Sequence, residues 1–365
     1  MPYTHILYKR WNIALPLWSL VSPLIGLVIL MLAGSIHSTF FSLLMAVSLI
    51  SIVLSAVHHA EVVAHRVGEP YGTLILALAI TVIEVSLIVS LMLSEGAEGS
   101  TLARDTVFAA IMILLTGIIG LCLLLGGYRY KEQVFIKQGT NAALTTLTAI
   151  SILTLVLPNY TTTTPGPVYS NSQLLFVAII SLVLYGGFVS VQTGRHRDYF
   201  LPEEEGDTHS APPNNLTTTL SMLFLLIALV LVVMLSKKLS PTIESMVISM
   251  GAPKSLVGII IAAVILLPEG LAAIRAARRN RLQTSLNLAL GSALASIGLT
   301  IPAVAIVTVF AGFSVTLGID TKSTLLLILS LFTISISFNA GRTNILQGIV
   351  LLVILATYLF TTVVP

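Results

Sequence analysis

Two acidic residues stand deep inside long apolar runs, Glu84 in TLILALAITVIEVSLIVSLML and Glu269 in VGIIIAAVILLPEGLAAI. The other thirteen of the fifteen acids lie at segment ends or in loops. A carboxylate at bilayer depth costs several kcal/mol unless it meets a partner, a proton or a cation. One such residue in each half of the chain points to a cation site that also takes protons. The alternative role is a neutral carboxyl that hydrogen-bonds a neighbouring helix, although packing alone rarely calls for an acid at that depth.

Hard cations want six or more oxygens, so two carboxylates need supporting ligands. Thr81 and Ser86 flank Glu84, and Asn287, Ser292 and Ser296 follow Glu269 on the next apolar run. Pro268 removes a backbone donor and frees a carbonyl one turn back, so a break at Pro268 and Gly270 would add a further oxygen. The small-residue run GSALASIG, residues 291 to 298, serves equally for close helix approach in lipid.

Two other groups carry candidate regulatory residues. His58, Glu61 and His65 are spaced i, i+3 and i+7 on one helix face, a metal-capable arrangement. A polar helix end at the headgroup level is the favoured reading, because all seven histidines fall near segment ends. Glu203, Glu204, Glu205 and Asp207, with His209, form an acidic stretch that is either a cation sensor or a solvated linker, the linker being favoured. Cys122 is the one cysteine and forms no internal disulfide. There is no HExxH, no P-loop with its lysine and no GxSxG motif. The chain therefore reads as no enzyme, with no cofactor. Its basic residues are spread over short loops and form no nucleic-acid patch.

These residues are positioned by membrane helices. The chain is 56% hydrophobic and 9% charged, against about 25% charged in a soluble domain. Apolar stretches long enough to cross about 30 Å of hydrocarbon recur from end to end. They predict eleven transmembrane helices near 12–33, 38–60, 71–94, 103–127, 140–157, 172–192, 217–236, 255–275, 284–311, 323–338 and 343–363. Placing the N-terminus in the cytoplasm puts thirteen of the eighteen Lys and Arg residues on that side and five outside, the asymmetry expected of basic loops. The C-terminus is then external, in a multi-pass cell membrane protein, with a bacterial inner membrane expected.

Setting the first helix aside (1–36) leaves five helices in 37–194, an acidic cytoplasmic loop in 195–215 and five helices in 216–365. Each glutamate falls on the second helix of its five. Because five is odd, the second unit enters from the opposite face, giving an inverted repeat with a site near the repeat interface. At 1.5 Å per residue Glu84 lies roughly 20 Å from a boundary at Pro70 and Glu269 about 13 Å from one at Arg278, a gap that helix tilt or a break would close.

Three stretches carry a resemblance: HHAEVVAHRVGEPYGTLILALAITVIEVSLIVSLM (58–92), LPEGLAAIRAARRNRLQTSLNLALGSALASIGLTIP (267–302) and SFNAGRTNILQG (337–348). The chain resembles the calcium/proton exchanger (CAX) family of the cation/calcium antiporter (CaCA) superfamily, most closely the bacterial ChaA type. The resemblance implies two inverted repeats, each built around one essential glutamate, here Glu84 and Glu269, with Asn287, Gly291 and Ser292 near the site. It also implies export of calcium, and with it sodium or potassium, in exchange for protons by alternating access. The wider family writes Gly-Asn shortly before each glutamate, where this chain has Ile80 and Thr81, and Ile265 and Leu266. The helix after Glu84 lacks the Gly-Ser pair found at Gly291 and Ser292. A cation channel and a proton-coupled carrier of an organic solute are the competing functions. No selectivity filter and no interior aromatic or Arg residues for solute recognition support either. The expected partners are inorganic cations, protons and the lipid bilayer, with the oligomeric state open.

Overall fold

The computed structural model describes residues 15–36, 38–68, 71–95, 100–200, 213–249, 251, 253, 255–312 and 314–364. Among them eleven helical runs follow one another: α1 (Leu17–Leu32), α2 (Thr39–Val67), α3 (Tyr71–Glu95), α4 (Leu102–Tyr130), α5 (Lys137–Tyr160), α6 (Asn171–Arg195), α7 (Asn215–Ser249), α8 (Ser255–Ala277), α9 (Leu282–Ala311), α10 (Thr321–Phe338) and α11 (Ile345–Val363). Nine of these are long and apolar enough to cross a membrane. Helices satisfy every backbone donor and acceptor internally, which hydrocarbon demands. The expected eleven-helix membrane architecture is what the chain adopts.

Two helices run past their expected ends. α2 continues from 60 to Val67 and stops at Gly68, whose φ of 81° only glycine adopts without strain. α7 is a 35-residue helix that accepts Pro241 and carries exposed Lys237 and Lys238. Helices end where a breaker stands, and an apolar run may end earlier because headgroups and water accept charged helical turns. Two three-residue strands join the helices, β1 (Glu132–Val134) and β2 (Arg342–Asn344), paired antiparallel with Gln133 opposite Thr343.

The helices fall into two compact units. The first holds α1, α2, α7 and α3 as far as Ser90. Here α2 packs on both α1 and α7. Serine hydroxyls clip the first pair: Ser22 Oγ lies 2.9 Å from Ser51 Oγ, and Ser55 Oγ donates to the Ser19 carbonyl at 2.7 Å. At the far end of the second pair Arg66 donates to Asn215 at 2.7 Å.

The second unit holds α4 to α6 and α8 to α11. α4 is lined by buried residues along most of its length and packs against α8, α9 and α11. Its crossing with α11 is close, since a Cβ on Gly348 would lie 2.5 Å from Leu124 N and 2.8 Å from the Gly120 carbonyl. The β1–β2 pair closes one end. Gln133 Nε2 donates to the Ala277 carbonyl at 3.0 Å and to Asn280 Oδ1 at 2.9 Å, and Ile136 N donates to Gln283 Oε1 at 2.7 Å. These bonds fix the α8–α9 turn, where Asn280 sits at φ 59°. At the other end Asn159 Nδ2 donates to the Ile319 carbonyl at 2.7 Å. The Tyr169 hydroxyl donates to the Leu153 carbonyl, and burial pushes its phenol up to about 12.

Gly348→Val is therefore expected to destabilise the purified protein by the about 1–3 kcal/mol typical of overpacking, read as a lower thermal unfolding midpoint in detergent. Gly186→Ala, on an exposed face where a methyl meets no atom within 4 Å, should leave the midpoint unchanged or raise it. Equal losses in the two variants would remove the α4–α11 crossing as the constraint.

Candidate ion-binding site

In the second unit Glu269 stands near the middle of α8, directly after Pro268, and is 6% exposed. α8 passes through Pro268 and Gly270 without interruption, so the expected break at these residues is absent. The proline still withholds one N–H from the helix ladder. Ser292 Oγ on α9 donates to Glu269 Oε2. A second α9 hydroxyl, Ser285 Oγ, donates to the Ala273 carbonyl at 2.7 Å, so α8 and α9 are joined on both sides of one helical turn. A methyl added at Gly291 would meet no heavy atom within 4 Å. Ser296, one turn beyond Ser292, is buried and has a polar partner of its own.

A third helix meets α8 at this level. α4 widens into a π turn at Ile113–Ile118, and a Cβ on Gly270 would lie 2.9 Å from Ile118 Cδ1. Such turns shift the backbone bonds by one residue and recur at functional sites. Ile119 N accordingly donates to the Leu114 carbonyl, and the buried Thr116 hydroxyl donates to the Met112 carbonyl at 2.5 Å. Thr116 and Gly117 were not among the residues that the motifs single out. Their signal was a hydroxyl and a glycine together in the otherwise apolar run IMILLTGIIG.

Asn287, also on α9, is committed elsewhere. Its Nδ2 donates to the Phe200 carbonyl at 2.5 Å and its Oδ1 accepts from Gln283 Nε2 at 2.9 Å. It joins the polar network beside β1 rather than the Glu269–Ser292 pair.

In the first unit Glu84 is 3% exposed on α3. Thr81, one turn earlier on the same helix, is also buried, and Ser86 is half-buried. Glu84, Thr81 and Glu269 all have interaction partners. One buried carboxyl thus belongs to each unit.

The candidate regulatory groups divide. His58 is half-buried, while Glu61 and His65 are exposed, and no three His, Cys, Asp or Glu side chains gather to hold a metal among the described residues. The reading of His58 as a headgroup-level helix end gives way, because α2 continues beyond it and the Trp18 ring of α1 lies 5.4 Å from its ring. His59, which the spacing argument passed over, is 0% exposed. Glu203, Glu204, Glu205, Asp207 and His209 lie outside the described residues.

Comparison with known proteins agrees with this architecture. The family model described as sodium/calcium exchanger protein matches residues 37–194 and 220–364. The chain is 46% identical to the putative ionic transporter y4hA of Sinorhizobium fredii over 96% of this chain and 97% of that protein. It is 37% identical to the sodium-potassium/proton antiporter ChaA of Escherichia coli over 94% of this chain and 95% of that protein. The crystal structure of the H+/Ca2+ exchanger CAX shares its fold, with a TM-score of 0.72 at 17% identity, covering 94% of this chain and 88% of that one. By the length and specificity of these matches, the chain belongs to the sodium/calcium exchanger protein family.

Proposed function

We propose that the protein is a secondary active cation/proton antiporter that exports Ca2+, and with it Na+ or K+, from the cytoplasm in exchange for H+. Glu84 and Glu269 are the groups that carry both. The observation that supports this reading most is positional: the family match falls on two stretches, 37–194 and 220–364, and each contains one buried glutamate in a membrane helix. In this reading the chain is one N-terminal helix (1–36) followed by two inverted five-helix repeats on either side of the acidic loop, with the N-terminus cytoplasmic and the C-terminus external.

Cation and protons compete for the same carboxyl oxygens, so occupancy by one excludes the other. The cation-bound and doubly protonated forms cross between inward- and outward-facing states. The empty dianion does not, because uncompensated charge at depth is too costly. An inward proton gradient then drives cation out. Thr81, Ser86, Ser292 and Ser296 supply hydroxyl oxygens, and the carbonyl freed by Pro268 adds another. Ser292 is placed to act first, since its hydroxyl already bonds Glu269. On meeting a cation it would turn its lone pairs toward the ion.

A second reading concerns the ion. Two departures from the wider family remove polar groups near Glu84, and the Escherichia coli relative that matches at 37% identity is named a sodium-potassium/proton antiporter. Both favour Na+ and K+ over Ca2+, because a divalent ion is costlier to dehydrate and relies more on carboxylate and other strongly polar oxygens.

In proteoliposomes with an internal pH dye, Glu84→Gln and Glu269→Gln are each expected to abolish cation-dependent proton flux, and robust flux in either would refute the two-carboxyl mechanism. Ser292→Ala should raise the cation concentration for half-maximal flux by about tenfold, the equivalent of one hydrogen bond of about 1.4 kcal/mol, with Ser292→Thr restoring most of it. Challenging the same vesicles in turn with calcium, sodium and potassium ranks the substrates. A calcium-only response would overturn the monovalent reading.

A further inference from the structure

The first unit contains a second group of buried polar atoms that the glutamate mechanism does not use. His59 Nε2 lies 3.1 Å from the Ser19 carbonyl oxygen. A carbonyl only accepts, so Nε2 carries the hydrogen, and in the neutral ring Nδ1 is left with a bare lone pair. That Nδ1 is buried and has no hydrogen-bond partner, and the same is true of His58 Nε2. On the facing helix the hydroxyls of Thr217 and Ser221 are also buried and unpartnered.

Helix register sets the His59 ring and the two α7 hydroxyls along one helix contact, the hydroxyls about one and two turns from the ring. α2 and α7 run antiparallel, with Arg66 bonded to Asn215 and the His59 ring 5.5 Å from the Phe224 ring. Ser221 and Thr217 lie about one and two turns before Phe224, on the same face of α7. Hydroxyls on membrane helices commonly bond the carbonyl one turn back, as Thr218 does to Asn214 at 3.0 Å. Thr217 and Ser221 do not. Four unsatisfied atoms within one three-helix packing stand out, because nearly every buried polar atom in folded proteins is paired.

We propose that His59 is a proton-binding site distinct from the two glutamates, completed by a hydrogen on Nδ1 and the hydroxyl oxygens of α7. In the protonated ring Nε2–H keeps its bond to Ser19, and Nδ1–H gains an acceptor on Ser221 or Thr217. The Ser19 carbonyl, which already accepts from Ser55, lends its partial negative charge. The Phe224 ring presents a π system to the cation. His58, whose ring is 5.8 Å from that of His59, is the competing titratable neighbour, so the two imidazoles share one proton between them. The other titratable or charged groups on the described parts of the packed helices are Glu61, His65 and Arg66 on α2 and Lys237, Lys238 and Glu244 toward the far end of α7; α1 carries none. A proton here places a charge within the α1–α2–α7 packing and so makes that packing respond to pH.

The test uses full-length protein in vesicles with 15N-labelled histidine, followed by ring-nitrogen magnetic resonance from about pH 5 to 8, the interval in which imidazole changes charge. His59→Gln keeps an N–H for the Ser19 carbonyl and cannot take a proton. The expected result is one Nδ1 resonance that moves from bare to protonated across the interval in the wild type and is missing in His59→Gln. His58→Gln retains it, with its midpoint moved. A His59 resonance that stays unprotonated throughout, or a titrating signal that persists unchanged in His59→Gln, would overturn the proposal. The wild-type titration reads the site directly, so it stands even where a variant folds poorly and whatever ion the glutamates carry.

Discussion

Everything in this protein answers to the cost of polarity in hydrocarbon. Backbone polarity is hidden by winding nearly the whole chain into helices, and side-chain polarity is kept only where something satisfies it. Glu269 shows the rule at its most demanding. A carboxyl with 6% exposure persists in α8 because Ser292 supplies a donor from α9 and a proline beside it loosens the backbone ladder. That arrangement leaves the carboxyl satisfied but replaceable, since a hydroxyl can turn from donor to ligand. A salt bridge to arginine would have satisfied it permanently and left nothing to exchange.

The rest of each unit consists of devices that hold such residues at fixed levels without bulky polar groups. Small residues allow close approach: Gly120 and Gly348 bring α4 against α11, and Gly270 admits Ile118 beside the glutamate turn. Hydroxyl-to-carbonyl bonds add direction, as with Ser285 on Ala273 and Ser55 on Ser19. Amide side chains are kept for the end that carries the β1–β2 pair, where Gln133, Gln283 and Asn287 tie β1, the α8–α9 turn and Phe200 into one network.

Hydropathy alone located the eleven helical runs of the described residues, because lipid-crossing length is a one-dimensional property of the chain. Ser292 was legible as one of three polar residues singled out, with Asn287 and Ser296, on the helix after Glu269, and the hydrogen bond to the carboxyl picks it out. What escaped depended on neighbours. The π turn of α4 lies where Gly270 and Ile118 pack, and the Thr-Gly pair in IMILLTGIIG is the one local mark of it. Asn287 was expected near the ion, yet Gln283 one turn earlier and the Phe200 carbonyl claim both ends of its amide. His59 was overlooked because the apolar run ends beside it, while the helix itself continues to Val67 and Ser19 of α1 and Phe224 of α7 close over its ring. The strands EQV and RTN are too short to show any alternation.

Both units are assembled from separated stretches of chain, and this bears on how the protein is made. α2 leaves the ribosome well over a hundred residues before α7, the helix that covers one of its faces, has been translated. β1 waits even longer for β2. Early helices must therefore be tolerated by the insertion machinery with serines and histidines still facing lipid or one another. A nascent chain released after its first half would retain its spans but lack the surfaces that make them a folded body.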